Sequence, residues 1–240
     1  MTKENTTARP RRIFRKLAKI AAFGSALIVV MLVIAHFAWK YSGSKKWEFV
    51  GEKDGVKVYS LKSPGATRKQ FKAVTRIKTT LNRVVAAMRD TSAEACSDWV
   101  PGCMSGEVLE QWNPQSQYYV QFFRVEFPHP FSPRDLVVKT QFLQDPQSKA
   151  MLVKITALPD KVPQDSCCFR ITEMHNSWQY TPLENGEIEV EFLGNYDAGI
   201  PYFMYNLGVP QALYDLLSRL EGLINKEKYQ HAEFAFVRQP

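Results

Sequence analysis

The sequence predicts an α+β domain in which a long antiparallel sheet bends around one C-terminal helix, behind an N-terminal membrane segment. Three observations support this. From Gly106 to Tyr196, apolar runs suited to strands follow one another, separated by Pro, Asn, Asp and Gly clusters. From Leu213 to Leu223 the leucines recur at helical spacing. Ile20–Trp39 contains no formally charged residue. Strands gathered in one stretch and a helix at the end, rather than strict alternation, is the α+β pattern.

The N-terminal elements come first. Of the formal net charge of +7, residues 1–19 contribute +6 and Lys40, Lys45 and Lys46 add three, leaving −2 from Trp47 onward. A nucleic-acid-binding domain needs a basic folded face, and a mildly acidic domain argues against one. As a helix, residues 20–39 rise about 30 Å, the thickness of a bilayer core. A cleaved signal peptide has a shorter apolar stretch and a small-x-small cleavage site, which "AHFAWKYSG" offers only poorly, so a retained signal anchor is expected. The basic excess ahead of it puts the N-terminus in the cytoplasm. The main domain is then expected in the periplasm of a single-pass inner-membrane protein.

Residues 40–46 are a polar linker. "DGVKVYSLKSPGATRKQFKAVTRIK" reads as two strands about a turn at Pro64-Gly65. Leu81, Val84, Val85 and Met88 form a helical stripe capped by Thr79 or Thr80, and a second short helix is expected from about Ser92 to Ser97. Six strands follow: Glu107–Trp112, Gln117–Phe127, Asp135–Leu143, Met151–Leu158, Cys167–Met174 and Glu187–Tyr196. In "EIEVEF", Ile188, Val190 and Phe192 face in and the glutamates face out. A closing helical segment is expected from about Pro201 to Lys226, interrupted by Gly208 and Pro210 so that Tyr202–Leu207 is a separate turn or a kinked first part. The roof is then about Pro210 to Lys226, with Gly208 and Pro210 as its hinge. Residues 229–240 read as a tail.

Several strands are apolar on both faces, with Tyr118, Val120 and Phe122 alternating with Tyr119, Phe123 and Val125. A sheet wet on one side needs one apolar face, so the surplus means additional core or an internal apolar cavity. Cys96 and Cys103 are spaced for a short disulfide loop, although buried free thiols fit as well. The four histidines are scattered, and no metal site or cofactor is expected.

The stretch "VEFPHPFSPRDLVV" (Val125–Val138) breaks a strand with three prolines and opens the next with Arg134-Asp135. Taken with "WVP" (Trp99–Pro101) ahead of a strand near Glu107, and with "GIPYFMYNLGVPQALYDLLSRLEGLI" at the end, it resembles the StAR-related lipid-transfer (START) domain of the helix-grip superfamily. The resemblance covers residues 47–228. It implies a curved sheet and a C-terminal helix enclosing an apolar cavity for one lipid, with a few polar groups to orient it. By motif position those polar groups are Glu107, with Glu110 as a rival, and Arg134. A strand-end ion pair is the other reading of Arg134. Phe122, Leu213, Leu217 and Leu220 are the expected apolar lining.

The implied function is binding or transfer of a sterol, phospholipid, fatty acid or isoprenoid by a monomeric domain held at the membrane. A sensing or scaffold module, or a cyclase or hydrolase of the superfamily, is the alternative. The sequence shows no nucleophile–base spacing, metal cluster or phosphate loop, so a non-enzyme is expected.

Overall fold

The computed structural model describes residues 8–100 and 102–239, with side chains from residue 14 onward. Residues 1–7 of the expected cytoplasmic tail and Pro101 of the "WVP" stretch lie outside the described residues. The chain divides into two compact units, Met1–Lys45 with Lys62–Thr67, and Lys46–Leu61 with Arg68–Pro240.

In the first unit, helix α1 spans Ala8–Tyr41. Its stretch Phe14–Tyr41 is long and apolar enough to cross a membrane, and is longer than the twenty uncharged residues alone. A helix must satisfy its last carbonyls. Here Lys62 Nζ donates to the Lys40 and Ser42 carbonyls, the Gly65 amide donates to Lys40 O, and Trp39 Nε1 donates to Thr67 O.

The second unit holds ten strands. They are β1 (Trp47–Lys53), β2 (Val56–Leu61), β3 (Gln70–Ile77), β4 (Cys103–Asn113), β5 (Tyr118–Val125), β6 (Arg134–Gln144), β7 (Met151–Ala157), β8 (Phe169–Arg170), β9 (His175–Pro182) and β10 (Ile188–Gly194). The order across the curved sheet is β1-β2-β3-β10-β9-β7-β6-β5-β4, antiparallel throughout, with the short β8 beside β6 in parallel. The three prolines lie in the connection between β5 and β6, as their missing N–H groups require. The expected strand Cys167–Met174 is reduced to the two residues of β8. Two strands were not anticipated, β1 and β9.

Register sorts the side chains into two faces. Phe142, Val153, Trp178, Phe192, Ala73 and Val58 lie opposite one another across six strands, and all are buried. Helix α2 (Leu81–Arg89), helix α4 (Tyr202–Leu217) and helix α5 (Leu220–Ile224) cover this face with Leu81, Val84, Val85, Leu213, Leu217, Leu220 and Ile224. Outward-facing glutamates of β10 pair with β3, Glu189 with Arg76 and Glu191 with Lys72. Thr80 caps α2 and Ser92 caps α3 (Ala93–Trp99), each accepting from the amide three residues on.

The C-terminal region departs from expectation in two places. Helix α4 starts at Tyr202, as the expected segment does, but runs unbroken through Gly208 and Pro210, where the hinge was expected; the break falls at Ser218–Arg219, before α5. Pro210 removes one ladder N–H, but its fixed φ suits a helix and the first turn is already formed upstream. Residues 229–239 are also no tail. Tyr229 and Val237 are buried in the core, and Phe236 stacks on Trp112 at 5.2 Å between ring centroids. Three apolar residues within four positions, Phe234, Phe236 and Val237, account for this.

Candidate functional site

The helix-bearing face of the sheet is not one continuous core. Its buried residues fall into a large cluster under α2, α4 and α5, and a small one of Val125, Leu136, Val138, Ile171 and Met174. Ile155 and Tyr196 touch both clusters and are only partly buried, as are Phe123 and Ala157 on the same face. Along β5, Tyr119 belongs to the large cluster, Phe123 packs on the small one, and Gln121 stands between them.

Leu213, Leu217 and Leu220 all reach the large cluster, on the helices that cover the sheet. Glu107 and Phe122 do not share that face. Glu107 lies opposite Phe122, which lies opposite Val137, and an odd-numbered position of β6 points away from Leu136 and Val138. Glu107 is exposed there. Phe123, one residue on, takes the inward position that Phe122 was expected to fill.

Arg134 is 2% exposed and points to the helix-bearing side, where no carboxylate among the described residues pairs with it. Its Nε donates to Ala198 O at 2.9 Å, Nη2 to Gly199 O at 3.1 Å, and Nη1 to Ser132 O. The rings of Phe127, Phe131 and Phe169 surround the guanidinium, Phe127 at 4.2 Å. The expected Glu107–Arg134 pair is absent among the described residues because the two lie on opposite faces, three register positions apart. Arg134 instead fastens the backbone that leads into α4. Gly199, at φ +64°, admits no side chain here: a Cβ would stand 2.4 Å from the Phe169 ring.

The second face also has a cover. Between β7 and β8 the chain makes an excursion, residues 158–168, over the outer side of β4–β6. Lys161 pairs with Glu110, Asp165 with Arg124 at 2.8 Å, and Arg170 with Asp135. These ion pairs hold the excursion on the face that carries the apolar surplus of Val120, Phe122 and Val137, and the Leu158 amide donates to Val137 O. Glu110, the rival to Glu107, is occupied with Lys161, which holds its carboxyl below the usual range.

Cys96 is disulfide-linked to Cys103, and Cys167 to Cys168, a vicinal pair that the sequence reading missed. The Tyr180 hydroxyl, on the helix-bearing face, is buried without a hydrogen-bond partner among the described residues. Burial pushes its pKa well above the ordinary tyrosine range, so it stays a neutral group.

No protein-family model matches the sequence, and comparison with curated proteins gives no match. Solved structures do match. A STAR-related lipid transfer protein from Xanthomonas axonopodis superimposes with TM-score 0.67 at 22% identity, covering 75% of this chain and 99% of that one. Human StAR-related lipid transfer protein 5 gives TM-score 0.61 at 15% identity, covering 86% and 97%. The lipid transfer and protein localization domain of human StarD13 gives 0.62 at 17%, covering 83% and 96%. The chain thus has the START fold, an α+β arrangement of curved antiparallel sheet and C-terminal helix.

Proposed function

We propose that this protein is a membrane-anchored lipid carrier that encloses one apolar ligand between the helix-bearing face of its sheet and helices α4 and α5. The observation that carries the reading is the division of that face, in a START fold, into two apolar clusters with partly buried apolar side chains between them. A fully packed single core leaves no such seam. Phe123, Ile155 and Tyr196 from the sheet side, and Leu213, Leu217 and Leu220 from the helices, are the proposed lining.

The energetics favour a carrier. At about 0.8 kcal/mol per methylene, exposing a sixteen-carbon chain to water costs on the order of 13 kcal/mol. That makes unaided movement between membranes slow, and an apolar enclosure removes most of the barrier without any chemistry. The N-terminal helix would keep the carrier at its source membrane, with the domain on the periplasmic side.

Mass spectrometry of organic extracts of the purified protein, after incubation with total host lipids, tests the proposal. One lipid class retained at about one molecule per chain is expected. Retention of none would leave a scaffold with the same fold.

A further inference from the structure

The carrier reading leaves open which kind of lipid is held, and the polar groups of the helix-bearing face bear on that. On strands β3, β5, β6, β7, β9 and β10, register assigns to this face one charged residue, Arg134. Each of its three guanidinium nitrogens already donates to a main-chain oxygen. The other polar side chains there are neutral. Tyr119 Oη donates to Met88 O at 2.6 Å, and Asn176 Oδ1 accepts from the Asn195 amide. Gln121 is 5% exposed, makes no hydrogen bond to another described residue, and keeps its amide atoms in contact with the little open space left to it. Tyr180 Oη, further along the same face, also has none.

Gln121 stands where the two apolar clusters part, between Tyr119 and Phe123 on β5 and opposite Val138 on β6. An amide with no protein partner on an otherwise apolar face is left to bond whatever occupies the space beside it, and native proteins leave few such groups unbonded. A primary amide offers two donors and an acceptor, so it can satisfy a carbonyl oxygen, or both sides of a hydroxyl. A carboxylate or phosphate in the same place would need a counter-charge, because burying an unpaired ion costs far more than burying a bonded hydroxyl. The one cation that these strands bring to the face is engaged elsewhere, and Arg89, brought in by α2, is stacked on the Trp112 ring at 3.9 Å.

We propose that the ligand is an uncharged lipid, and that the Gln121 amide holds its hydroxyl or carbonyl oxygen at the seam between the two clusters. This rests on the carrier reading and narrows it. Fatty acids and phospholipids, whose head groups are ionised, are disfavoured inside. Alcohols, sterols and neutral esters are favoured.

The test uses the full chain in phosphatidylcholine nanodiscs and three diazirine-tagged probes of equal chain length: hexadecanol, hexadecanoic acid and hexadecane. Photolabelling of the domain is read by peptide mass spectrometry at pH 8, where the acid is ionised. The alcohol is expected to label peptides of the helix-bearing face about tenfold more than the acid. In Gln121→Met, which keeps the side-chain length, alcohol labelling should fall to the hydrocarbon's level while hydrocarbon labelling is unchanged. Equal labelling of the wild type by acid and alcohol would overturn the inference, whatever the variant does. So would a variant that keeps the alcohol preference, because Gln121 would then be satisfied by a bound water alone. Labelling of the domain by none of the three probes would instead remove the carrier reading itself.

Discussion

The Asp135 carboxylate accepts two hydrogen bonds from the Arg170 guanidinium, each of 2.9 Å, with both side chains almost wholly out of solvent. The remaining N–H groups of Arg170 go to the carbonyls of Pro159, Val162 and Pro163. One guanidinium thus binds β6, β8 and the excursion over the outer face together. Arg170→Met strands a buried carboxylate and should cost about 3–5 kcal/mol in urea unfolding. Joining it to Asp135→Leu should recover most of that loss, since an apolar pair needs no counter-charge. A single-variant cost under about 1 kcal/mol would mean the pair is hydrated.

That pair also shows where the sequence was legible and where it was not. Arg134 and Asp135 are adjacent, and pairing them with each other or with Glu107 is the natural one-dimensional reading. On a strand, adjacent residues face opposite ways, so each took a partner from a different part of the chain: Ala198 and Gly199 for one, Arg170 for the other. Alternation identified β10 and its inward Ile188, Val190 and Phe192 because its two faces differ in chemistry. It missed β9, where "HNSWQYTP" hides two inward aromatics among polar residues and ends in proline. Which of Phe122 and Phe123 points inward depends on register with β6, and both strands are apolar on both faces. Gln121 carries no signal of its own in the sequence; only register with β6 places it on the inward face.

Arg134 should act through geometry as well as charge. Its planar fork reaches three carbonyls in different directions, which a single ammonium cannot match. Arg134→Lys is expected to lose about 2 kcal/mol of stability, hydrogen bonds from a charged group being the stronger kind. It should also speed hydrogen exchange of the first amides of α4, Tyr202 to Tyr205. A stability loss with α4 protection unchanged would show that Arg134 supports the sheet alone.

At the other end of the helical layer, Asp90 accepts from Lys228 Nζ at 2.8 Å and from Tyr229 Oη at 2.7 Å, tying α2 to the C-terminal segment. Partial burial pushes its carboxyl up, but Lys228, Tyr229 and Ser92 overcome this and hold it well below the usual carboxylate range. A carboxylate with a depressed folded pKa stabilises fully above its unfolded value of about 4, and that stability is lost as pH falls through the folded value. Asp90→Asn should therefore lower stability at pH 7 by about 1–3 kcal/mol. The gap between variant and wild type should narrow below about pH 4. A gap that stays constant down to pH 2 would exclude an ionic origin.

The basic excess ahead of the uncharged stretch Ile20–Trp39 predicts a cytoplasmic N-terminus. Protease added to spheroplasts should digest the region from Trp47 onward. Protection of that region, with digestion on lysis, would reverse the orientation.

Helix α4 carries a second apolar surface besides the leucines it buries. At its start Phe203 and Leu207 are 58% and 78% exposed, and Met204 beside them is also exposed. Single exposed apolar residues are ordinary, but three within five positions on one helix form a contiguous patch. If the proposed ligand leaves beneath this helix, the patch can enter a bilayer interface while α4 lifts, and the chain never carries its ligand through water. Leu207→Asp places a charge where the patch would enter the lipid, while leaving the buried Leu213 and Leu217 in place. Transfer of a fluorescent alcohol between phosphatidylcholine vesicles should then slow by about tenfold or more, since inserting a carboxylate into the interface is strongly unfavourable. The amount of alcohol bound at equilibrium should not change, because the substitution lies outside the proposed lining. Unchanged transfer would mean that the ligand departs elsewhere, and reduced equilibrium binding would mean that Leu207 belongs to the lining.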